Sequence, residues 1–508
     1  MIPLLSRADA RALDADAVRV YGLPTCVLME NAGRGATGVL LDRLRGAAAE
    51  AVIVGGLGQN GGDAWVVARH LVVAGMRPRV FLCGSPPQVK GDAWVNLNAL
   101  LALGVDVTAL ELEGVGVLEE SLRSAKVVVD GLFGTGLTRP VEGLAREVIR
   151  VMNAFPAPKF ALDLPSGIDA NSGAVMGENI RAAITATFGC HKRGLYQQPG
   201  AAAAGEVALV SIGMPFPTRS STRLFEAEDA AERVTPRRPD AHKGSAGHVV
   251  IVAGSDEAPG AAVLAGVAAL RAGAGKVTVW TRARALNAPP DLLVRPFREE
   301  TPAAVEECVA FVRDHADSVV IGPGLGLDAF AATLCHQVAR QMKMPVVLDA
   351  DALTHAAADP SIFKASPGPR VVTPHPKEAA RLLSCDVRDI QADRYRAVLR
   401  IAREFQVVSC LKGSHTVLAE PEGEIRVVRR GSPALAVAGT GDVLAGAVGA
   451  HVVALPAMDG ASVAVLQHAV AGELASVGDR GLLASEVAAA LPAALASFCS
   501  DDVVLDDV

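Results

Sequence analysis

Short, wholly apolar runs recur along nearly all of this 508-residue chain, each closed by a glycine- or aspartate-rich turn and followed by a longer Ala/Leu/Arg segment of helical period. No other feature narrows the fold so far. A strand that is apolar at every position is buried on both faces, so helices must cover both sides of its sheet. The pattern therefore predicts parallel α/β architecture. Strands are predicted at 51–54, 79–83, 126–129, 159–162 and 207–212, then at 249–253, 276–281, 318–321, 345–348, 370–373 and 407–411. The length exceeds what one ordinary core supports. Met214-Pro215-Phe216-Pro217 and Pro236-Arg237-Arg238-Pro239 bracket a polar segment, and a second glycine-rich series begins at His242-Lys243-Gly244. The predicted organisation is a domain at 1–215, a linker at 216–240 and a different domain at 241–508.

Composition excludes several classes of function. The net charge of −7 comes without a basic stripe, which argues against nucleic-acid binding. Eight cysteines (Cys26, Cys83, Cys190, Cys308, Cys335, Cys385, Cys410 and Cys499) stand far apart with no C-x-x-C pair, which argues against a zinc site or disulfide scaffold. The opening Met1-Ile2-Pro3-Leu4-Leu5-Ser6-Arg7 lacks the marks of a signal peptide. The most apolar stretch, 443–458, is shorter than the roughly 20 residues a membrane-spanning helix needs. The expectation is a cytoplasmic protein with no membrane partner.

In the first half, a strand at 51–54 runs into Gly55-Gly56-Leu57-Gly58-Gln59-Asn60-Gly61-Gly62-Asp63, with a helix predicted over 64–73. Such a strand–turn–helix junction offers bare N–H groups to a phosphate, although a glycine-rich turn without a ligand has the same look. Two further strand ends deliver Asp130, before Gly131-Leu132-Phe133-Gly134-Thr135-Gly136, and Asp163, before Leu164-Pro165-Ser166-Gly167-Ile168-Asp169. Ligands of parallel sheets sit at such carboxyl ends. Either aspartate alone would serve equally as a helix cap.

These three segments, with Leu28-Met29-Glu30-Asn31-Ala32-Gly33, resemble the NAD(P)HX epimerase family over about residues 5–214. The resemblance implies a Rossmann-like parallel α/β sandwich. It implies a potassium ion among Asn60, Asp130 and Ser166. It also implies a hydrated nicotinamide cofactor against Gln59, Asn60, Gly61, Gly62 and Asp63, against the loop Gly134, Thr135, Gly136, Leu137, Thr138, Arg139 and Pro140, and against Asp163. Gln59 stands where the family usually has a second Asn, and Ala64 where it has Gly. The hydrate's hydroxyl carbon adjoins the ring nitrogen, whose lone pair can expel water and leave an iminium. Water re-added on the other face inverts the centre, and Asp163 is the expected general base.

The second half carries Ala438-Gly439-Thr440-Gly441-Asp442-Val443-Leu444-Ala445-Gly446. Bare N–H groups at a helix start form an anion hole, with Asp442 placed to exchange a proton with a substrate hydroxyl. Predicted strand ends supply Gly322-Pro323-Gly324-Leu325-Gly326, Leu348-Asp349-Ala350-Asp351-Ala352-Leu353, Thr373-Pro374-His375-Pro376 and Leu411-Lys412-Gly413-Ser414-His415-Thr416. Taken singly these are ambiguous: His375 between prolines suits a turn, Asp349 and Asp351 suit capping as well as a site, and Lys243 and Lys412 suit solvent.

In this order the segments resemble the ribokinase-like fold, specifically its ADP/ATP-dependent NAD(P)HX dehydratase branch, over about residues 242–495. The resemblance implies a nucleotide on Lys412, Gly413, Ser414, His415 and Thr416 and on the loop ending at Gly441, with ADP the favoured donor. It implies hydrated nicotinamide against Ala261 or Ala262, Gly324 or Gly326, His375 and the catalytic Asp442. Magnesium would be held by phosphates and water. A homo-oligomer is also implied. Lys377, Gly431-Ser432 and Ala438 depart from the family pattern, the last two near the nucleotide loop. Two competing functions are a sugar or vitamin kinase, and a non-catalytic nucleotide-binding module in the first half.

Overall fold

The computed structural model describes residues 1–48, 50–216, 220–363 and 367–499. Residue 49 of the predicted first domain, residues 217–219 of the predicted linker and residues 364–366 and 500–508 of the predicted second domain lie outside them, as does the Cys499 side chain. The chain divides into two units, one spanning Pro3–Thr222 and the other running from Arg223 onward together with Met1–Ile2.

The first unit is built on seven parallel strands in the order Val107–Leu110, Arg79–Cys83, Ala51–Gly55, Val127–Gly131, Lys159–Leu162, Ile184–Phe188 and Glu206–Val210. Alternation along Val52-Ile53-Val54 sends successive side chains to two cores, one on each face. Trp65, Leu71 and Leu97 fill the first, and Ile149 and Met152 the second. The chain runs outward from Ala51–Gly55 to one edge, then returns to Val127–Gly131 and proceeds to the other. The crevice between those two strands is the topological switch point, where ligands of open α/β sheets bind.

The second unit repeats this logic. Seven parallel strands run in the order Leu293–Pro296, Lys276–Thr281, His248–Val252, Ser318–Ile321, Val346–Leu348, Arg370–Val372 and Val408–Leu411. Thr416–Ala419 and Ile425–Val428 continue the sheet antiparallel. Its switch point lies between His248–Val252 and Ser318–Ile321. Helices Pro259–Ala272, Thr440–His451, Ala457–Ala475 and Ala484–Cys499 share the larger core with this sheet. A side chain at Gly446 would strike the backbone carbonyl of Ala265, so the first two of these helices cross backbone to backbone.

The segment predicted as a linker carries structure of its own. Strand Thr222–Leu224 and helix Ala227–Ala231 fall within it, and Phe225 N–H donates to the Val427 carbonyl at 2.9 Å. Arg233 reaches Asp459 at 2.8 Å within the second unit.

Strands Val107–Leu110, Ile184–Phe188 and Leu293–Pro296 and the antiparallel pair escape the apolar-run rule. Ile184–Phe188 reads Ile-Thr-Ala-Thr-Phe, and its buried Thr185 satisfies its hydroxyl on the Ala204 carbonyl at 2.7 Å. A buried threonine of this kind imitates a half-exposed strand in sequence. The glycine-turn helix begins at Gln59 instead of residue 64, so Gln59–Asp63 form its first turn. Among the described residues no helix is long and apolar enough to cross a membrane. The seven described cysteines are free thiols, and among the described residues no group of three His, Cys, Asp or Glu is placed to hold a metal.

Two candidate active sites

In the first unit a cavity of about 1070 Å³ opens at the switch point. Gly58 caps helix Gln59–Val73 without a side-chain hydrogen bond, leaving the first N–H groups facing it. Of the residues expected to meet the hydrated cofactor, Gln59, Asn60, Asp63, Gly134, Thr135, Gly136, Leu137, Thr138, Arg139 and Asp163 line it. Gly61, Gly62 and Pro140 do not. A side chain at Gly61 would collide with the Gly56 carbonyl, and one at Gly62 with the Met29 thioether, so these two glycines serve helix packing. Arg7, at the start of the N-terminal helix, pins the loop that carries Thr135 and Leu137 by donating to their carbonyls at 2.9 and 2.6 Å and to Asp169 at 2.6 Å.

Beneath the loop, Asp130 and Ser166 are fully buried. The Ser166 hydroxyl and N–H donate to the two Asp130 oxygens at 2.6 and 2.8 Å, and Ser166 Oγ accepts from Phe133 N–H at 2.8 Å. Burial outweighs these bonds and lifts the Asp130 carboxyl to about 6. The Asn60 carboxamide lies against Gly134, as the Asp163 carboxylate does, and is buried with neither oxygen nor nitrogen bonded to protein. An unsatisfied amide in a folded interior asks for a partner.

Asp163 adopts φ +67°, a left-handed conformation that is costly for a residue with a side chain. Its two oxygens are each held, Oδ2 by Thr135 N–H at 3.1 Å and Oδ1 by the Lys192 ammonium at 2.5 Å. Burial, then the Asp163 and Asp14 charges, push the Asp63 carboxyl well above the usual carboxylate range. Asp14, itself raised by burial and by Asp163, completes a group of three carboxyls around one lysine. Sequence reasoning missed Asp14 and Lys192. The only trace of Lys192 is a cation immediately after a buried strand, in Gly189-Cys190-His191-Lys192.

In the second unit helix Thr440–His451 starts at Gly439, which takes φ +93° and provides no side-chain cap. Its N-terminal N–H groups stand open as the sequence predicts. Asp442 lies in the first turn, its carboxyl raised to about 7 by burial and by Asp349, against the opposing Lys412 charge. Asp349 is buried and accepts from Thr373 Oγ1 at 2.7 Å and from the Lys412 ammonium at 2.6 Å. This decides the open reading of Asp349: it is an ion-pair anchor and not a cap. Lys412 Nζ also lies 3.9 Å from Glu378, whose carboxyl burial lifts to about 7.

The remaining expected residues divide. Gly324 packs on Ala258 and Ala261, and Gly326 N–H donates to Asp351 at 2.8 Å, so the glycine loop abuts the start of helix Pro259–Ala272. Ala261 is partly exposed there, whereas Ala262 is fully buried under Gly254. His375 caps helix Pro376–Leu382, its Nδ1 accepting from Lys377 and Glu378 N–H at 3.1 and 3.2 Å, while its side chain stays 47% exposed. Burial and Lys412 lower its pKa, which keeps the accepting nitrogen free of a proton. Gly441 sits over Lys412 and Asp349. Gly413, Ser414 and His415 form the turn before the antiparallel strands, and Thr416 opens the first of them, its Oγ1 donating to the Gly413 carbonyl at 3.1 Å.

Comparison with known proteins places these sites in context. Residues 25–194 match the family model described as YjeF-related protein N-terminus, and residues 249–492 match that described as NAD(P)H-hydrate dehydratase. The bifunctional NAD(P)H-hydrate repair enzyme Nnr of Thermofilum pendens is 34% identical over 97% of this chain and 96% of its own length. Its namesake from Escherichia coli is 35% identical over 94% and 91%. Among solved structures, the ADP/ATP-dependent NAD(P)H-hydrate dehydratase from Bacillus subtilis co-crystallised with ATP/Mg2+ shares 28% identity and a TM-score of 0.49, covering 54% of this chain and 98% of that one. With relatives this similar along nearly the whole of both chains, the protein belongs to the family of bifunctional NAD(P)H-hydrate repair enzymes.

Proposed function

We propose that residues 1–215 interconvert the R and S forms of hydrated NADH or NADPH, that residues 241–508 dehydrate the S form at the expense of ADP or ATP, and that 216–240 join the two activities. The observation that carries this reading is that each unit brings its own aspartate-bearing site to the carboxyl edge of its own parallel sheet. In the first, the cavity would take the hydrated nicotinamide between the Gln59–Asp63 turn and the loop from Gly134 to Arg139. Asp163, held at both oxygens, takes the proton of the water that adds to the iminium face, and returns it when the hydroxyl departs. Leu28 and Met29 give the same cavity an apolar wall.

The first site also fits potassium. Asn60 offers a buried, unpartnered amide oxygen, and with the oxygens of Asp130 and Ser166 it would make an all-oxygen donor set of the kind a hard cation takes. When bound, the ion supplies positive charge beneath the loop that faces the cofactor's phosphates.

In the second unit the open N–H groups of Thr440 and Gly441 receive the transferring phosphoryl group, and Asp442 accepts the ring hydroxyl's proton. The hydroxyl oxygen bonds phosphorus while the donor's bridging P–O bond breaks. The ring C–O bond then breaks, driven by the ring nitrogen, and loss of a proton from the adjacent carbon restores the dihydronicotinamide. Ala261, Gly324, Gly326 and His375 would flank the ring. The backbone of Lys412–Thr416 would meet the nucleotide, since the Lys412 ammonium is already engaged by Asp349. Magnesium, bound through phosphates and water, neutralises phosphate charge. ADP as the favoured donor, a homo-oligomeric state and a cytoplasmic location belong to the same proposal.

The test follows NADH recovery by absorbance from mixed R and S hydrates with magnesium, potassium and either nucleotide. Wild type recovers the full pool, Asp163→Asn only the S part, and Asp442→Asn none. A stable phosphorylated product in place of NADH would move the second half to the small-molecule kinases.

A further inference from the structure

Four carboxyl groups line the N-terminal cavity, and three of them, Asp14, Asp63 and Asp163, interact with one another and with Lys192, which lines it too. Lys192 belongs to the two-residue strand His191–Lys192, held in register by Leu4 against His191 and Leu5 against Lys192. Its side chain is only 3% exposed. An ammonium has three N–H donors, and this one has three acceptors: Asp163 Oδ1 at 2.5 Å, the Phe188 carbonyl at 2.7 Å and Thr187 Oγ1 at 3.1 Å. No donor remains for a substrate. Of the three carboxyls, Lys192 bonds one.

We propose that Lys192 is the positioning residue of the N-terminal site: it selects Asp163 from three neighbouring carboxyls and holds it, with Thr135 N–H, in the orientation that meets the hydrated ring. This rests on the reading of Asp163 as the group that handles the water proton. The left-handed backbone at Asp163 supports it, because a strained residue keeps its conformation only where its surroundings over-determine it. Burial lowers the lysine's pKa, but Asp163, Cys190 and Asp14 outweigh it and raise it above the ordinary value, so it stays an ammonium.

The test uses the full chain and measures epimerisation kinetics in Lys192→Met, Asp163→Asn and the double variant. Lys192→Met is expected to lower kcat by about tenfold or more while KM for the hydrate moves by less than about twofold. The double variant should be no slower than Asp163→Asn, since a residue that acts through another has no further effect once that other is gone. Effects that multiply, or a loss confined to KM, would overturn the proposal. Lys192→Cys treated with 2-bromoethylamine rebuilds a side chain of nearly the same length and charge, and should regain activity over a wild type treated identically. Failure to regain it would also overturn the proposal. If Asp163→Asn alone runs at the wild-type rate, it is the assignment of the base that fails.

Discussion

The proton-handling roles proposed for Asp442 and Asp163 depend on neighbours distant in the chain, although each of the two stands beside glycines at a strand end or helix start, where the sequence itself marks it. Asp349, ambiguous in sequence, is assigned by Thr373 and Lys412, which lie 24 and 63 residues away. Glu378, Asp14 and Lys192 sit in segments whose local pattern suits an ordinary helix or strand, and only folding brings them to the sites. The raised Asp442 carboxyl has a kinetic consequence. A base must be unprotonated to accept the hydroxyl proton, and burial with Asp349 places its pKa at about 7. Dehydratase kcat/KM should therefore fall below about pH 7, tenfold per pH unit well below it. Lys412→Met, which removes the charge opposing that shift, should move the midpoint upward. A pH profile of the S-epimer reaction reads both, and a midpoint near the ordinary aspartate value in wild type would remove Asp442 as the base.

At the scale of elements, the apolar-run rule found strands that are buried on both faces and missed those that bury threonines or lie at sheet edges. Ile184–Phe188 was missed because Thr185 and Thr187 are buried with backbone carbonyls and Lys192 as partners. The glycine turn was placed correctly but divided wrongly, because Gln59–Asp63 lack the apolar periodicity that marks a helix and yet form one. Two predictions belong here. Gly446→Ala would place a methyl group against the Ala265 carbonyl, where two helices meet without room for it. It should cost about 1–3 kcal/mol, read as a lower midpoint of denaturant unfolding. Arg7→Ala frees the loop carbonyls of Thr135 and Leu137 and should raise KM for epimerisation several-fold while leaving dehydration of the S form unchanged. An unchanged KM would mean that the loop holds its conformation without the clamp.

For the molecule as a whole, the proposed sites share one electrostatic habit. Each buries a lysine–aspartate pair and places further carboxyls beside it, raised above their ordinary range chiefly by desolvation. Such carboxyls oppose folding once they ionise. With the unfolded chain titrating near pH 4 and Glu378 and Asp442 near 7 when folded, the folded state binds more protons throughout that window. The penalty is absent below about pH 4 and complete above about pH 7, so these groups make stability decline as pH rises between those limits. Asp442→Asn, which keeps the shape and removes the charge, should therefore raise the melting temperature of the ligand-free protein by a few degrees at about pH 8 and by less at about pH 5, while abolishing dehydration. A protein that gains stability when its proposed catalytic base is neutralised is retaining that carboxylate for chemistry and not for the fold. An equal or lower melting temperature at pH 8 would mean instead that Lys412 or the helix N-terminus compensates Asp442 fully, and that its ionised form belongs to the resting state.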